Sequence, residues 1–236
     1  MNMREFWIKL NILYENVLIF CIFIFMLIDL YVMYDKFYIY MHSGNRELLK
    51  YKPVIGEYIK DESPISEDMV AWLTVDNTKI DVPVMQTVEN VTYLSTDPFG
   101  NYSVSGSIFL DYRCNGFDDN FSIIYGHHMD YGQMFGGLEK FLNEDYLKKH
   151  TSGTLIVTGK NNTEISIEIF AAMRTSARNN IIYDFEENNI DGNNIAEYIK
   201  NNADVYTRKA DKKILAMSTC LESGSVERIV VFAYLN

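Results

Sequence analysis

The 236-residue chain is short of positive charge: 21 Lys and Arg stand against 32 Asp and Glu, giving a formal net charge of −11 and a pI near 4.8. Nucleic-acid binding rests on Lys and Arg neutralising phosphates, and no basic stripe overrides the average, so a nucleic-acid partner is excluded. Cysteine is scarce too, with three in the chain. Cys21 lies in an apolar N-terminal run, which leaves Cys114 and Cys220 for the folded part. A single bridge between those two stays open, whereas a disulfide framework does not. There are no repeats or low-complexity segments, and a hydrophobic share of 48% excludes a disordered chain. With only four histidines, acid/base chemistry has few candidates.

What the sequence does have is a long apolar start. Val17–Ile28, VLIFCIFIFMLI, is uninterrupted, and from Leu10 to Tyr34 only Asn11, Glu15, Asn16 and Asp29 are polar. A membrane-spanning helix needs about 20 apolar residues, and this run suits one. A cleaved signal peptide is the competing reading; it predicts a small-residue cleavage site, which DKFYIYMHSG after Tyr34 does not offer. Arg4 and Lys9 before the span against Lys36 after it give a thin bias for an inside N-terminus. The expected organisation is therefore an anchor over 1–36, a stalk and helical lead-in over 37–66 broken by Pro53, Gly56 and Pro64, and a folded domain over 67–236.

From Met69 the pattern turns to strands: Val70–Val75, Ile80–Gln86, Ser107–Asp111, Phe121–His127, Thr154–Thr158 and Glu164–Arg174, then Ile214–Met217 and Ile229–Ala233. Short strands at this spacing predict a mainly β fold, a barrel or sandwich, over a parallel α/β sheet. Apolar residues at 134, 135, 138, 141 and 142 predict a helix over Met134–Leu142. The polar stretch Thr175–Lys212 is too long for a hairpin and carries a helix over Ile190–Asn201; connections of that length are more often binding loops than spacers.

The chain is organised around Lys213–Tyr234. Cys220 ends one apolar strand, Glu222–Glu227 forms a loop, and Arg228 opens the next strand. A reactive thiol needs a positive neighbour and an acid/base partner, and this stretch supplies only the first. His42 lies in the stalk and His150 in a polar turn, so the candidates are His127 and His128, behind Gly126 at the end of FSIIYGHHM. Adjacent strand residues point to opposite faces, so at most one of them shares a cleft with Cys220. Three other readings stand beside an enzyme of this kind. They are a cysteine hydrolase, a non-catalytic membrane-tethered binding module, and a metal site from His127, His128, Asp130 or Asp111. No spacing among the last group matches a known ligand pattern, so no metal or other cofactor is expected.

GHHM together with STC-x7-R resembles the sortase family, and specifically its class B, the cysteine transpeptidases of Gram-positive cell surfaces. The resemblance continues through WLTVDNTKIDVPVMQ (72–86), YL (93–94), GSIFLDYR (106–113) and MFGGL (134–138), so it runs from about Met69 to the C-terminus. It implies a closed β-barrel of about eight strands with N-terminal helices, a helix after the histidine strand, and a helix in the long loop between the sixth and seventh strands. It places the acid/base on His127, the nucleophile on Cys220 and the arginine on Arg228. The nucleophile motif here reads A-M-S-T-C, departing from the family's T-L-x-T-C at Ala216 and Met217. Substrate-binding positions implied by the resemblance are Asn90, Leu94 and Ser218, with Ile182 and Tyr183 in the long loop. The implied partners are surface proteins bearing a C-terminal signal of the NPQTN kind, cut after threonine, and a peptidoglycan amine as acceptor. The implied location is the cell membrane, single-pass, with the domain outside. Papain-like hydrolases place Cys before His, whereas here His127 precedes Cys220.

Overall fold

The computed structural model describes residues 2–42, 47–56, 63–129, 132–185, 192–208, 212–220 and 226–236, and for 38–42, 192–193 and 220 the backbone. The chain divides into two compact units, Met1–His42 and Ser43–Asn236. The first is one helix, α1 (Met3–His42). Its apolar side chains are exposed all round, Phe20 at 63% and Phe25 at 67%. By length and composition Met3–Phe37 is able to cross a membrane.

The second unit is a single sheet. Its strands are β1 (Met69–Val75), β2 (Asp81–Met85), β3 (Ile108–Leu110), β4 (Phe121–Gly126), β5 (Ser152–Val157), β6 (Thr163–Ser176), β7 (Val205–Tyr206), β8 (Ile214–Cys220) and β9 (Glu227–Leu235). Their order is β5-β1-β2-β3-β4-β8-β9-β6-β7, and β5 also pairs with β6. That extra pairing closes eight strands into a barrel and leaves β7 outside it as an added strand on β6. The barrel is mixed: β2–β3 and β4–β8 run parallel, and the other pairs run antiparallel.

Strand β6, 14 residues long, serves two neighbours. Thr163–Glu168 pairs with β5 and Ile167–Ser176 with β9, with an irregularity between Ile169 and Ala171. A bulge bends a strand, and this one turns the barrel's corner. Phe170, between those residues, stacks on Tyr234 at 3.9 Å.

Period-2 alternation explains why β8 and β9 read as unbroken apolar runs. Leu215 and Met217 with Ile229, Val231 and Ala233 fill the interior cluster. Ile214 and Ala216 with Val230, Phe232 and Tyr234 belong to a second, outer cluster that Ile182, Ile195 and Ile199 complete. Both faces of these strands are buried, so neither needs polar residues. The outer cover comes from the long connection, where α3 (Asn180–Tyr183) and α4 (Gly192–Asn202) lie. That connection also holds β7, which the expected eight strands omitted: two residues are too few to show a period. Its residues 186–191 and 209–211 are outside the described ones.

Two local expectations change. In place of a helix over 134–142 the chain makes a 3-10 turn, Leu138–Leu142, followed by α2 (Glu144–Lys149), which Asn143 caps by accepting from the Tyr146 amide. Phe135, Leu138 and Phe141 are buried as their spacing predicts. A helix cannot start earlier because Met134 has φ 49° and Gly136 lies against the Met129 carbonyl. In the lead-in, the described residues contain one 3-10 turn, Leu48–Tyr51, and residues 43–46 and 57–62 are outside the description.

Candidate active site

Three adjacent strands set the site. In the parallel β4–β8 pair the last partners are Gly126 and Thr219, so the next residues along are His127 and Cys220. In the antiparallel β8–β9 pair Cys220 is the Cα partner of Arg228. Residues 127, 220 and 228 thus occupy one rung across three neighbouring strands. Two rungs below, Tyr125, Ser218 and Val230 are partners in the same order. Of the expected loop Glu222–Glu227, residues 222–225 lie outside the description.

Beside this rung is a cleft of about 190 Å³. His127 and Arg228 line it at the rung, Ser218, Thr219, Tyr125 and Gly126 below, and Asn90, Leu94 and Phe109 along one wall. Five of the residues expected from sequence therefore meet there: Asn90, Leu94, His127, Ser218 and Arg228. Tyr183 reaches the same place from the long connection, its hydroxyl 3.0 Å from Ser218 Oγ. Ile182, by contrast, is fully buried in the outer cluster, and the exposed residue beside it is Ile181.

Both ends of His127 are held. Its Nε2 lies 2.8 Å from the carbonyl oxygen of Leu94. A carbonyl only accepts, so Nε2 carries the hydrogen and Nδ1 is the ring nitrogen left for proton transfer. The Leu94 carbonyl ends a 3-10 turn, Thr92–Leu94, seated against Gly106, where an added Cβ would sit 2.5 Å from Tyr93 O and 2.7 Å from Leu94 O. On the main chain, the Phe135 amide donates to His127 O at 3.1 Å. The Phe135 ring packs against Gly126, where a Cβ would come within 2.9 Å of it. The two quoted motifs, GHHM and MFGGL, are the two sides of this clamp. His128 pairs with Met134 instead, and its Nε2 lies 3.7 Å from a Glu139 oxygen.

Sequence reading missed Tyr125 and Phe109 as cleft residues, and the buried carboxylate beneath them. Tyr125 was open to discovery, two residues before His127 on the same strand. Asp111 is wholly buried. It accepts from Arg113 Nε at 2.9 Å, Arg113 NH2 at 2.9 Å, Asn90 Nδ2 at 2.9 Å and the Tyr125 hydroxyl at 3.0 Å. Burial pushes its carboxyl up, but the hydrogen bonds from Arg113 and Asn90 outweigh that and hold it below the usual carboxylate range. Burial and then the neighbouring Asp111 charge push the Tyr125 phenol well up.

Cys114 is free and buried, so the Cys114–Cys220 bridge is not made. Burial pushes its thiol up to about 12, which makes it inert as a nucleophile. Among the described residues no group of three or more His, Cys, Asp and Glu side chains could hold a metal ion. Asp111 is committed to Arg113, and Asp130 lies outside the description.

A closed mixed barrel that sets a strand-end cysteine between a histidine and an arginine on adjacent strands is an arrangement suited to a thiol enzyme that works through an acyl intermediate. A family model for the sortase domain matches residues 73–236. Sortase B of Listeria monocytogenes is 34% identical over 173 residues, covering 70% of this chain and 68% of its own. The crystal structure of Spy0129, a Streptococcus pyogenes class B sortase involved in pilus biogenesis, superposes with a TM-score of 0.67 at 33% identity, covering 73% of this chain and 94% of its own. A Staphylococcus aureus sortase B–substrate complex does so at 0.64 and 28%, covering 73% and 81%. The chain belongs to the sortase family, in its class B branch.

Proposed function

We propose that this sortase acts from a single-pass anchor over residues 1–36, N-terminus inside, with a stalk and lead-in over 37–66 holding a catalytic barrel, 67–236, at the outer surface. Its substrates are surface proteins with a C-terminal sorting signal of the NPQTN kind, and its acceptor is a peptidoglycan amine. The observation that carries this reading is the shared rung of residues 127, 220 and 228 beside a cleft whose wall supplies Asn90 and Leu94.

In the first half-reaction Cys220 gives its thiol proton to Nδ1 of His127, and the resulting thiolate attacks the threonine carbonyl carbon of the signal, forming a C–S bond. The carbonyl oxygen takes the electron pair and is stabilised by the Arg228 guanidinium. As the tetrahedral centre collapses, the C–N bond breaks and the leaving amine takes its proton from Nδ1 of His127. In the second half-reaction the acceptor amine attacks the thioester, His127 removes its proton, and the thiolate leaves. The Leu94 carbonyl keeps Nε2 protonated, which leaves Nδ1 as the nitrogen that exchanges the proton. Asn90, Leu94, Ser218 and Tyr183 hold the signal peptide, with Ile182 supporting the last of these from the core.

The test is turnover of fluorescence-quenched pentapeptides that differ in their first and last residues, with and without an added amine. Cleavage of an NPQTN-type peptide, with ligated product when amine is present, is the expected outcome. Turnover of none of the panel would contradict the assignment, and cleavage without ligation at any amine concentration would make the chain a hydrolase.

A further inference from the structure

A buried ion pair is a poor device for stability. Taking charges out of water is costly, and apolar residues of the same volume would serve as well or better. Asp111 and Arg113 pair behind the cleft residues Asn90 and Tyr125, with the Asp111 carboxylate wholly shielded and Arg113 one-third exposed. What the pair does can be traced from its other contacts.

The Asn90 amide is fixed at both ends. Its Nδ2 donates to Asp111, and its Oδ1 accepts from the Tyr112 amide at 2.9 Å. A carboxylate accepts only and an amide N–H donates only, so the Asn90 side chain has one orientation, and the edge it turns to the cleft is set by Asp111. Tyr125 is fixed from the same oxygen, Asp111 Oδ2. On the opposite side the Arg113 guanidinium lies 5.5 Å from the centre of the Phe185 ring. Phe185 follows α3, whose Tyr183 reaches Ser218, so the stacked ring ties the pair to the second wall.

We propose that Asp111 and Arg113 are paired positioning residues that determine recognition of the sorting signal, Asp111 by fixing Asn90 and Tyr125, Arg113 by holding the Phe185 segment against them. Neither touches the reacting atoms. The inference rests on the transpeptidase reading above.

The test uses the full chain in detergent micelles, with a quenched NPQTN-type peptide for KM and kcat and iodoacetamide for alkylation of Cys220, which needs no peptide recognition. In Asp111→Asn one oxygen becomes a donor facing donors. KM is expected to rise about tenfold or more, the loss of a charge-assisted hydrogen bond, while kcat changes by less than about threefold. The alkylation rate and its pH profile stay as in the unsubstituted chain. Because Asp111 acts through Asn90, adding Asn90→Ala to Asp111→Asn is expected to cost less than a further twofold, roughly, rather than the full effect of Asn90→Ala alone. Arg113→Lys keeps charge but loses the fork and the stack; it shows the same KM-weighted loss and carries the test if Asp111→Asn does not fold. An unchanged KM in a folded variant, fully additive costs in the double variant, or alkylation slowing in parallel with turnover would each overturn the proposal. An unsubstituted chain that cleaves no signal peptide overturns the transpeptidase reading instead, which separates the two failures.

Discussion

The imidazole of His127 is tied to the main chain of Leu94, Nε2 to carbonyl oxygen at 2.8 Å, across 33 residues of sequence. In cysteine enzymes that use a side chain to orient the histidine, that side chain can be replaced; a carbonyl cannot. The residue that places this carbonyl is Gly106, at φ 57° and in contact with it. Gly106→Ala is therefore expected to displace the Leu94 carbonyl and release the ring. The predicted result is a fall in kcat of roughly 10- to 100-fold, within what general acid–base catalysis contributes, with a changed pH profile of turnover. Full activity in a folded Gly106→Ala chain would show that the carbonyl does not orient His127.

Gly136 tests the other side of the histidine clamp. An added Cβ would lie 1.9 Å from the Met129 carbonyl oxygen, a backbone atom that cannot rotate away. Gly136→Ala should destabilise the domain by roughly 2–4 kcal/mol and lower its Tm, the scale of a steric conflict at a special backbone site. A Tm within a degree or two of the unsubstituted chain would mean that the loop relaxes freely.

The barrel itself was legible, and the reason is physical. Strands β8 and β9 are covered on both faces, so they read as unbroken apolar runs, while β1 and β6 still show their turns and period. The rung of 127, 220 and 228 was legible only as separate motifs, because parallel pairing of β4 with β8 joins residues about 93 apart by a register no local pattern encodes. For the same reason the sequence does not mark Asp111 as buried: its partners include Asn90 and Tyr125, which arrive from two other segments. The 134–142 helix failed because the apolar spacing was correct while Gly136 and a left-handed Met134 prevented the regular turn.

Acid stability follows from Asp111. Its carboxyl is held below the ordinary value of 3.8, so its contribution to folding is fully present above that value and is lost as pH falls through the lower folded value. Thermal melts of Asp111→Asn and the unsubstituted chain should therefore differ most near neutral pH, begin to converge as pH falls below about 4, where the unfolded carboxyl protonates, and converge fully only at the lower pH where the folded carboxyl protonates too. A difference that stays constant from pH 7 to pH 2 would remove the charge from the explanation.

Arg228→Lys separates charge from shape. Lysine keeps the positive charge and loses the planar fork, and kcat/KM is expected to drop by about 100-fold, as for loss of one oxyanion donor. Near-normal turnover would mean that only charge is required.

A thioester on Cys220 is open to intact-mass measurement of the chain after brief mixing with an NPQTN-type peptide and no amine. The expected result is an added mass equal to the acyl portion ending in threonine, located on Cys220, discharged by hydroxylamine, absent from Cys220→Ala and retained in Cys114→Ala. Peptide cleavage that persists in Cys220→Ala, or an adduct found on Cys114, would contradict it.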